Sequence, residues 1–175
     1  NNMTDRFDYF VVFAEMRTGS NFLETNLNAF DGLMCHGEAF NPHFIGYPNK
    51  TEILGVTAAM RDTSAQRLIT AIRDEPATLG GFRFFHDHDP RALDIAIEDP
   101  RCAKIILTRN PLESYVSWKI AKATDQWKLT DIKQRKAAKI RFERAEFARH
   151  VEDLQDFQVL LLNQLQVSGQ APFYL

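Results

Sequence analysis

Only two cysteines occur in the 175 residues, Cys35 and Cys102, and they are isolated, without the spacing of metal ligands. That excludes a disulfide scaffold and a cysteine metal centre, and it fits a reduced, cytoplasmic protein. Long apolar runs are missing as well: none could span a bilayer, and no signal peptide is recognisable. Neither sign of charge dominates, with 21 Lys and Arg against 23 Asp and Glu and a formal net charge of −2. Such a balance gives no support for bulk nucleic-acid binding or for broad contact with an anionic membrane, so local clusters must carry any anion specificity. Internal repeats and low-complexity linkers are absent. So is the nucleoside-triphosphatase P-loop: Ala14 and Asn21 stand where that motif has its first glycine and its hydroxyl residue, and its lysine is missing.

What is present suits a single core. With 45% hydrophobic residues, the chain reads as one domain over residues 1–175. Tyr9 to Phe30 is its most informative stretch. Phe10 to Phe13 form a short run of β-branched and aromatic residues, as a strand buried on both faces would. Arg17-Thr18-Gly19-Ser20-Asn21 is too polar and too small to continue it. Leu23, Leu27 and Phe30 recur at helical spacing, and Asn21 with Glu24 reads as a capping pair. The turn between strand and helix therefore presents unpaired N–H groups and the positive end of a helix dipole, which favour an anion. An ordinary turn that happens to carry an arginine is the alternative reading.

Further along, a short strand near Leu33 to Cys35 opens into a long irregular loop headed by Glu38, the kind of segment that lines a site. A helix is expected from Thr57 to Asp74, with Ala58, Met60, Leu68, Ile69 and Ile72 as apolar contacts. A strand from Leu79 to Phe85, a short helix around Arg91 to Ile97 and a strand from Ala103 to Leu107 follow. Behind the last strand come Arg109, then Asn110 as a cap, Pro111 at the first helical position and Glu113 completing a capping box. Leu112, Val116 and Ile120 form the expected core stripe of that helix, with Ser117 about two turns in. Near the end, Phe147, Val151, Leu154, Leu161 and Leu165 mark an amphipathic helix stopped by Ser168-Gly169, able to pack on the sheet or to build a homodimer. The alternation of strands and helices predicts an α/β fold with a mainly parallel sheet flanked by helices and ligands at the carboxyl edge of the strands. Two such junctions, each with an arginine and hydroxyls, suggest a ligand with two separated anionic groups.

Arg17-Thr18-Gly19-Ser20-Asn21 followed by Leu23 is similar to the 5′-phosphosulfate loop of sulfotransferases that use 3′-phosphoadenosine 5′-phosphosulfate (PAPS). Arg109-Asn110-Pro111, with Ser117 eight residues after the arginine, resembles their 3′-phosphate site. The likeness is strongest to the bacterial carbohydrate enzymes of the nodulation and trehalose type, and it runs from about Phe7 to the end of the chain. It implies a P-loop-NTPase-like sulfotransferase fold, PAPS as sulfuryl donor, and a carbohydrate or glycolipid hydroxyl as acceptor. Arg17 replaces the lysine of many animal members. The later Gly-rich nucleotide loop has no counterpart, and a C-terminal part of the family's domain is expected to be missing.

The resemblance also places a carboxylate near the acceptor, which makes Glu38 the first candidate for the base; a solvated loop glutamate is the alternative. His86, at the end of its strand with Arg83 nearby, is the second. Arg83 is expected to line the acceptor pocket or to pair with Asp87 or Asp89. His86 and His88 could be read as metal ligands, but no third ligand is indicated and no metal is expected. Trp127 with Lys119, Lys122 or Lys128 could flank a sugar, although packing beneath a loop explains the tryptophan more simply. The basic stretch from Ile132 to Arg149 reads as a solvated helix face. A phosphate-transferring or nucleotide-binding relative on the same fold, and a non-catalytic binding module, are the competing functions.

Overall fold

Tyr9–Phe13 (β1) is buried at every position, which the apolar run requires of a central strand in a sheet covered on both faces. A computed structural model of the chain describes residues 7–15, 18–124 and 139–175. In it β1 pairs in parallel with Leu79–Phe84 (β5) on one side and with Cys102–Ile106 (β6) on the other. Leu33–Cys35 (β2) lies outside β5, and Phe173–Tyr174 (β7) outside β6. The five-stranded order is thus β2-β5-β1-β6-β7, parallel throughout. Gly81 of β5 admits the ring of Phe10, since a Cβ there would lie 2.4 Å from it.

Side chains of β1 alternate between two cores. Phe10, Val12 and Ala14 meet Leu23 and Leu27 of Ser20–Leu27 (α1). Tyr9, Val11 and Phe13 enter the larger core, beside Ala65–Arg73 (α3), Pro90–Glu98 (α4) and Arg144–Val167 (α6). The helix expected over Thr57 to Asp74 is two helices, Ala58–Thr63 (α2) and α3, because Ser64 is extended at φ −149° and ψ 106°. The break allows α3 to present Leu68, Ile69 and Ile72 to the core while Arg61 of α2 turns elsewhere. Ahead of α2, Glu52–Ile53 (β3) and Val56–Thr57 (β4) form a small antiparallel hairpin.

Three local expectations change. At α1 the cap is Gly19 in the left-handed region (φ 90°), not Asn21, and Glu24 faces inward rather than back to the helix start. Phe30 lies beyond α1 and is exposed. In Pro111–Thr124 (α5), Leu112 is exposed and the buried residues are Ser114, Tyr115 and Ala121. Tyr115 decides this orientation: its ring meets Phe147 of α6 at 5.4 Å and its hydroxyl donates to Glu146 at 2.7 Å. Helix α6 packs on the sheet through Leu161 and Leu165. It ends as expected, with Gly169 at φ 69° and the N–H groups of Gly169 and Gln170 donating to Gln166 and Leu165. Among the described residues no helix is long and apolar enough to cross a membrane.

Candidate functional site

Chain direction explains where a crevice opens. From β1 the chain leaves through α1 towards β2, whereas from β6 it leaves through α5 and α6 towards β7 on the opposite side. Their carboxyl ends, held together by the Leu107 N–H donating to Phe13 at 3.0 Å, form a topological switch point, where ligands of open α/β sheets bind. A cavity of about 180 Å³ lies there, with Glu15, Thr18, Thr108, Arg109 and Phe157 among its lining residues. Since small-molecule sites usually enclose about 300–1,000 Å³, it would hold part of a nucleotide-sized ligand.

At the β1 junction, Thr18 shapes the turn: its N–H and its hydroxyl both donate to the carbonyl of Glu15, at 3.2 and 2.6 Å. Gly19 adopts the positive φ that an L side chain resists, and a Cβ there would meet nothing within 4 Å. Helix geometry leaves the N–H groups of Ser20, Asn21 and Phe22 without intrahelical acceptors. The Ser20 hydroxyl oxygen accepts from Arg83 Nη1 at 3.1 Å, so its own proton is directed elsewhere. Arg17 lies outside the described residues, as do Trp127, Lys128 and residues 132–138 of the basic stretch.

At the β6 junction the Asn110 cap forms as expected. Asn110 Oδ1 accepts from the N–H groups of Leu112 and Glu113, at 2.9 and 3.4 Å. Arg109 stands with Nε 3.7 Å from Glu113 and lines the cavity; Ser117, further along α5, does not. The structure therefore brings Thr18 and Arg109 to one crevice.

Glu38 heads a loop that is pinned rather than irregular. Its N–H and carbonyl exchange hydrogen bonds with Gly46, and Arg61, although on α2, donates to the carbonyls of Ala39 and Phe44 at 2.9 Å. Gly37, at φ 64°, has no room for a Cβ, which would sit 2.6 Å from the Gly46 carbonyl oxygen. The Glu38 carboxylate lies 3.3 Å from His88 Nε2, 3.8 Å from Arg83 Nη2 and 3.2 Å from Asn41 Nδ2. Burial pushes its proton affinity up, but His88, Arg83 and Asn41 outweigh burial and hold it below the ordinary carboxylate value. The carboxylate is thus ionised at neutral pH and able to accept a proton.

Arg83 does not pair with Asp87 or Asp89. Asp89 instead caps α4 and binds Arg91. Buried within β5, Arg83 has Nε 3.2 Å from Glu24 Oε2, an ion pair whose N–H is not aligned for a hydrogen bond. Glu24 in turn accepts from the Gly37 N–H. The two histidines diverge, which removes the metal reading based on their sequence proximity. His86 Nδ1 is 2.7 Å from Glu15 Oε2; His88 Nδ1 accepts from the Phe85 N–H at 3.2 Å, which leaves the ring proton on Nε2, close to Glu38 but not aligned for a hydrogen bond. Burial lowers the proton affinity of His86, but Glu15 more than offsets it and raises the net value. Burial also raises that of Glu15, in spite of His86. Glu15 and Arg61 went unnoticed in the sequence, and Glu24 and His88 were noticed there in other roles, as a helix cap and as a metal ligand. The available signal was Arg83, a charge inside an apolar strand that requires buried partners.

No family model matches the chain. Over 127 residues it is 32% identical to Nodulation protein H of Rhizobium tropici, an alignment covering 67% of this chain and 48% of that relative. The chain thus spans about half the length of the relative it matches.

Proposed function

We propose that this protein is a sulfotransferase that moves the sulfuryl group of PAPS to a hydroxyl of a carbohydrate or glycolipid acceptor, on a P-loop-like sulfotransferase fold. The observation that carries this reading is the meeting of two anion-favouring strand-to-helix junctions at the switch point between β1 and β6, with Glu38 ionised on a separate, pinned loop. Similarity to Nodulation protein H supports it, and the two buried, unpaired thiols suit a cytoplasmic setting.

The residues fit such a donor. Open space beside Gly19 and the start of α1 suit the 5′ end, and Arg109 in the crevice suits the 3′-phosphate; the resemblance alone adds Ser117. When bound, PAPS supplies an activated sulfuryl group joined to its 5′-phosphate. Glu38 accepts the proton of the acceptor hydroxyl as that oxygen bonds to sulfur. Arg17, the Ser20 hydroxyl and the N–H groups at the start of α1 stabilise the charge left on the phosphate oxygen as its bond to sulfur breaks. His86, held by Glu15, is the second candidate for the proton acceptor.

A binding titration with 3′-phosphoadenosine 5′-phosphate beside adenosine 5′-phosphate and ATP tests the reading. The doubly phosphorylated nucleotide is expected to bind the most tightly. Equal affinities for the two adenosine phosphates would remove the reading.

A further inference from the structure

We infer that Arg83 is a positioning residue that joins the anion-binding turn to the acceptor-side carboxylate, so that Ser20 and Glu38 are set by one guanidinium. The inference deepens the proposed sulfuryl transfer and rests on it for its catalytic meaning, although the linkage itself is a property of the unliganded protein. Arg83 is 2% exposed, and its planar fork reaches three side chains. Nη1 donates to Ser20 at the start of α1, Nε faces Glu24 in the next turn, and Nη2 lies 3.8 Å from Glu38. Glu24 closes the circuit by accepting from the Gly37 N–H, one residue before Glu38. A lysine at this position would be a point charge unable to meet all three acceptors.

Two consequences follow for chemistry. Donation from Arg83 occupies a lone pair of Ser20 and leaves the hydroxyl proton for an anion. The same guanidinium favours the ionised form of Glu38. The groups facing that carboxylate are Arg83 and His88, with Glu24 behind Arg83 and Tyr47 beside Glu24. His88 and Asn41 remain in place when Arg83 is changed, so the carboxylate keeps two stabilising neighbours. Loss of the arginine should therefore raise the Glu38 pKa, since an opposite charge nearby favours the ionised form.

The test compares wild type with the double variant Arg83→Met/Glu24→Gln, in which no buried charge is stranded and the amide oxygen introduced in place of the carboxylate can still accept from the Gly37 N–H. One readout, carbon-13 NMR titration of the Glu38 carboxyl, needs no catalysis. The others are the acid limb of the transfer rate and the affinity for 3′-phosphoadenosine 5′-phosphate. Expected are an upward shift in both titrations and a several-fold loss of affinity, as a lost hydrogen bond gives. Ser20→Ala should reproduce the affinity loss and leave the Glu38 titration unmoved. Should the double variant not fold, Arg83→Gln/Glu24→Gln, which also removes the cation without stranding a buried carboxylate, is read in the same way. An unmoved Glu38 titration in a folded Arg83 variant overturns the inference. A moved titration in a protein that neither binds the nucleotide nor transfers sulfate overturns the proposed function and leaves the linkage standing.

Discussion

Arg83→Met alone should be the most destabilising change in the site. Arg83 and Glu24 are 2% and 5% exposed in their side chains and 3.2 Å apart. Coulomb's law at an effective dielectric of about 20 gives an attraction of about 5 kcal/mol at that distance. Desolvation of both ions offsets most of it, so the pair contributes little net stability compared with apolar or neutral groups of the same shape. Removing one partner is different, because Glu24 then remains buried without its counter-ion. The expected cost is about 3–5 kcal/mol, a large part of the stability of an ordinary domain and on the order of 10 °C in Tm for a chain of this size. Adding Glu24→Gln should recover most of that loss. Urea denaturation of wild type, both single variants and the double variant supplies the cycle. An Arg83→Met cost below about 1 kcal/mol, or a double variant no more stable than the single one, would refute the buried-pair reasoning.

Four further outcomes are expected. Arg109→Ala should abolish the preference for 3′-phosphoadenosine 5′-phosphate over adenosine 5′-phosphate, a loss of about one to two decades in affinity measured by calorimetry. Arg17→Ala should weaken nucleotide binding and transfer while thermal stability stays within about 0.5 kcal/mol of wild type; a large stability loss with unchanged binding would make it a structural residue. Glu38→Gln should keep nucleotide affinity and lower transfer by roughly two to four decades. Because the folded Glu38 pKa is depressed, its stabilising contribution is present above the unfolded carboxylate value and is lost as pH falls through the folded one. A normal rate in Glu38→Gln together with a lost rate in His86→Ala would transfer the role of base to His86. Finally, proton NMR should show His86 titrating above 6.5 and His150, lowered by burial, below it. Glu15→Gln should lower the His86 titration from its wild-type position, with Asp87 and Asp153 left to oppose burial; an unchanged value would show that Glu15 does not set it.

Local signals were sufficient for the scaffold. The apolar run of β1, Asn110 ahead of Pro111, and Gly169 after an amphipathic stretch each act within one turn or strand, and each formed where its residues indicated. The parallel α/β class was legible for the same reason, since alternating strands and helices leave few other ways to bury both faces of a sheet. So was the meeting of the two junctions, seen in Thr18 and Arg109, because both follow parallel strands whose carboxyl ends share an edge.

Only the tertiary structure decided how charged side chains were used. Glu24 fits a helix cap by spacing, yet it faces Arg83, because a buried guanidinium gains more from a desolvated carboxylate than a helix end open to water gains from a cap. Two residues apart, His86 and His88 serve Glu15 and Glu38 respectively, a division set by the end of β5 and not by spacing. Leu112 fits a core stripe but is exposed, since Tyr115 anchors α5 to α6 through a ring contact and a hydroxyl hydrogen bond. Helical and strand periods are properties of neighbouring residues and can be read along the chain. The partner of a buried charge is fixed by which distant segment arrives within about 4 Å, and for Arg83 and Ser20 that segment is 63 residues away.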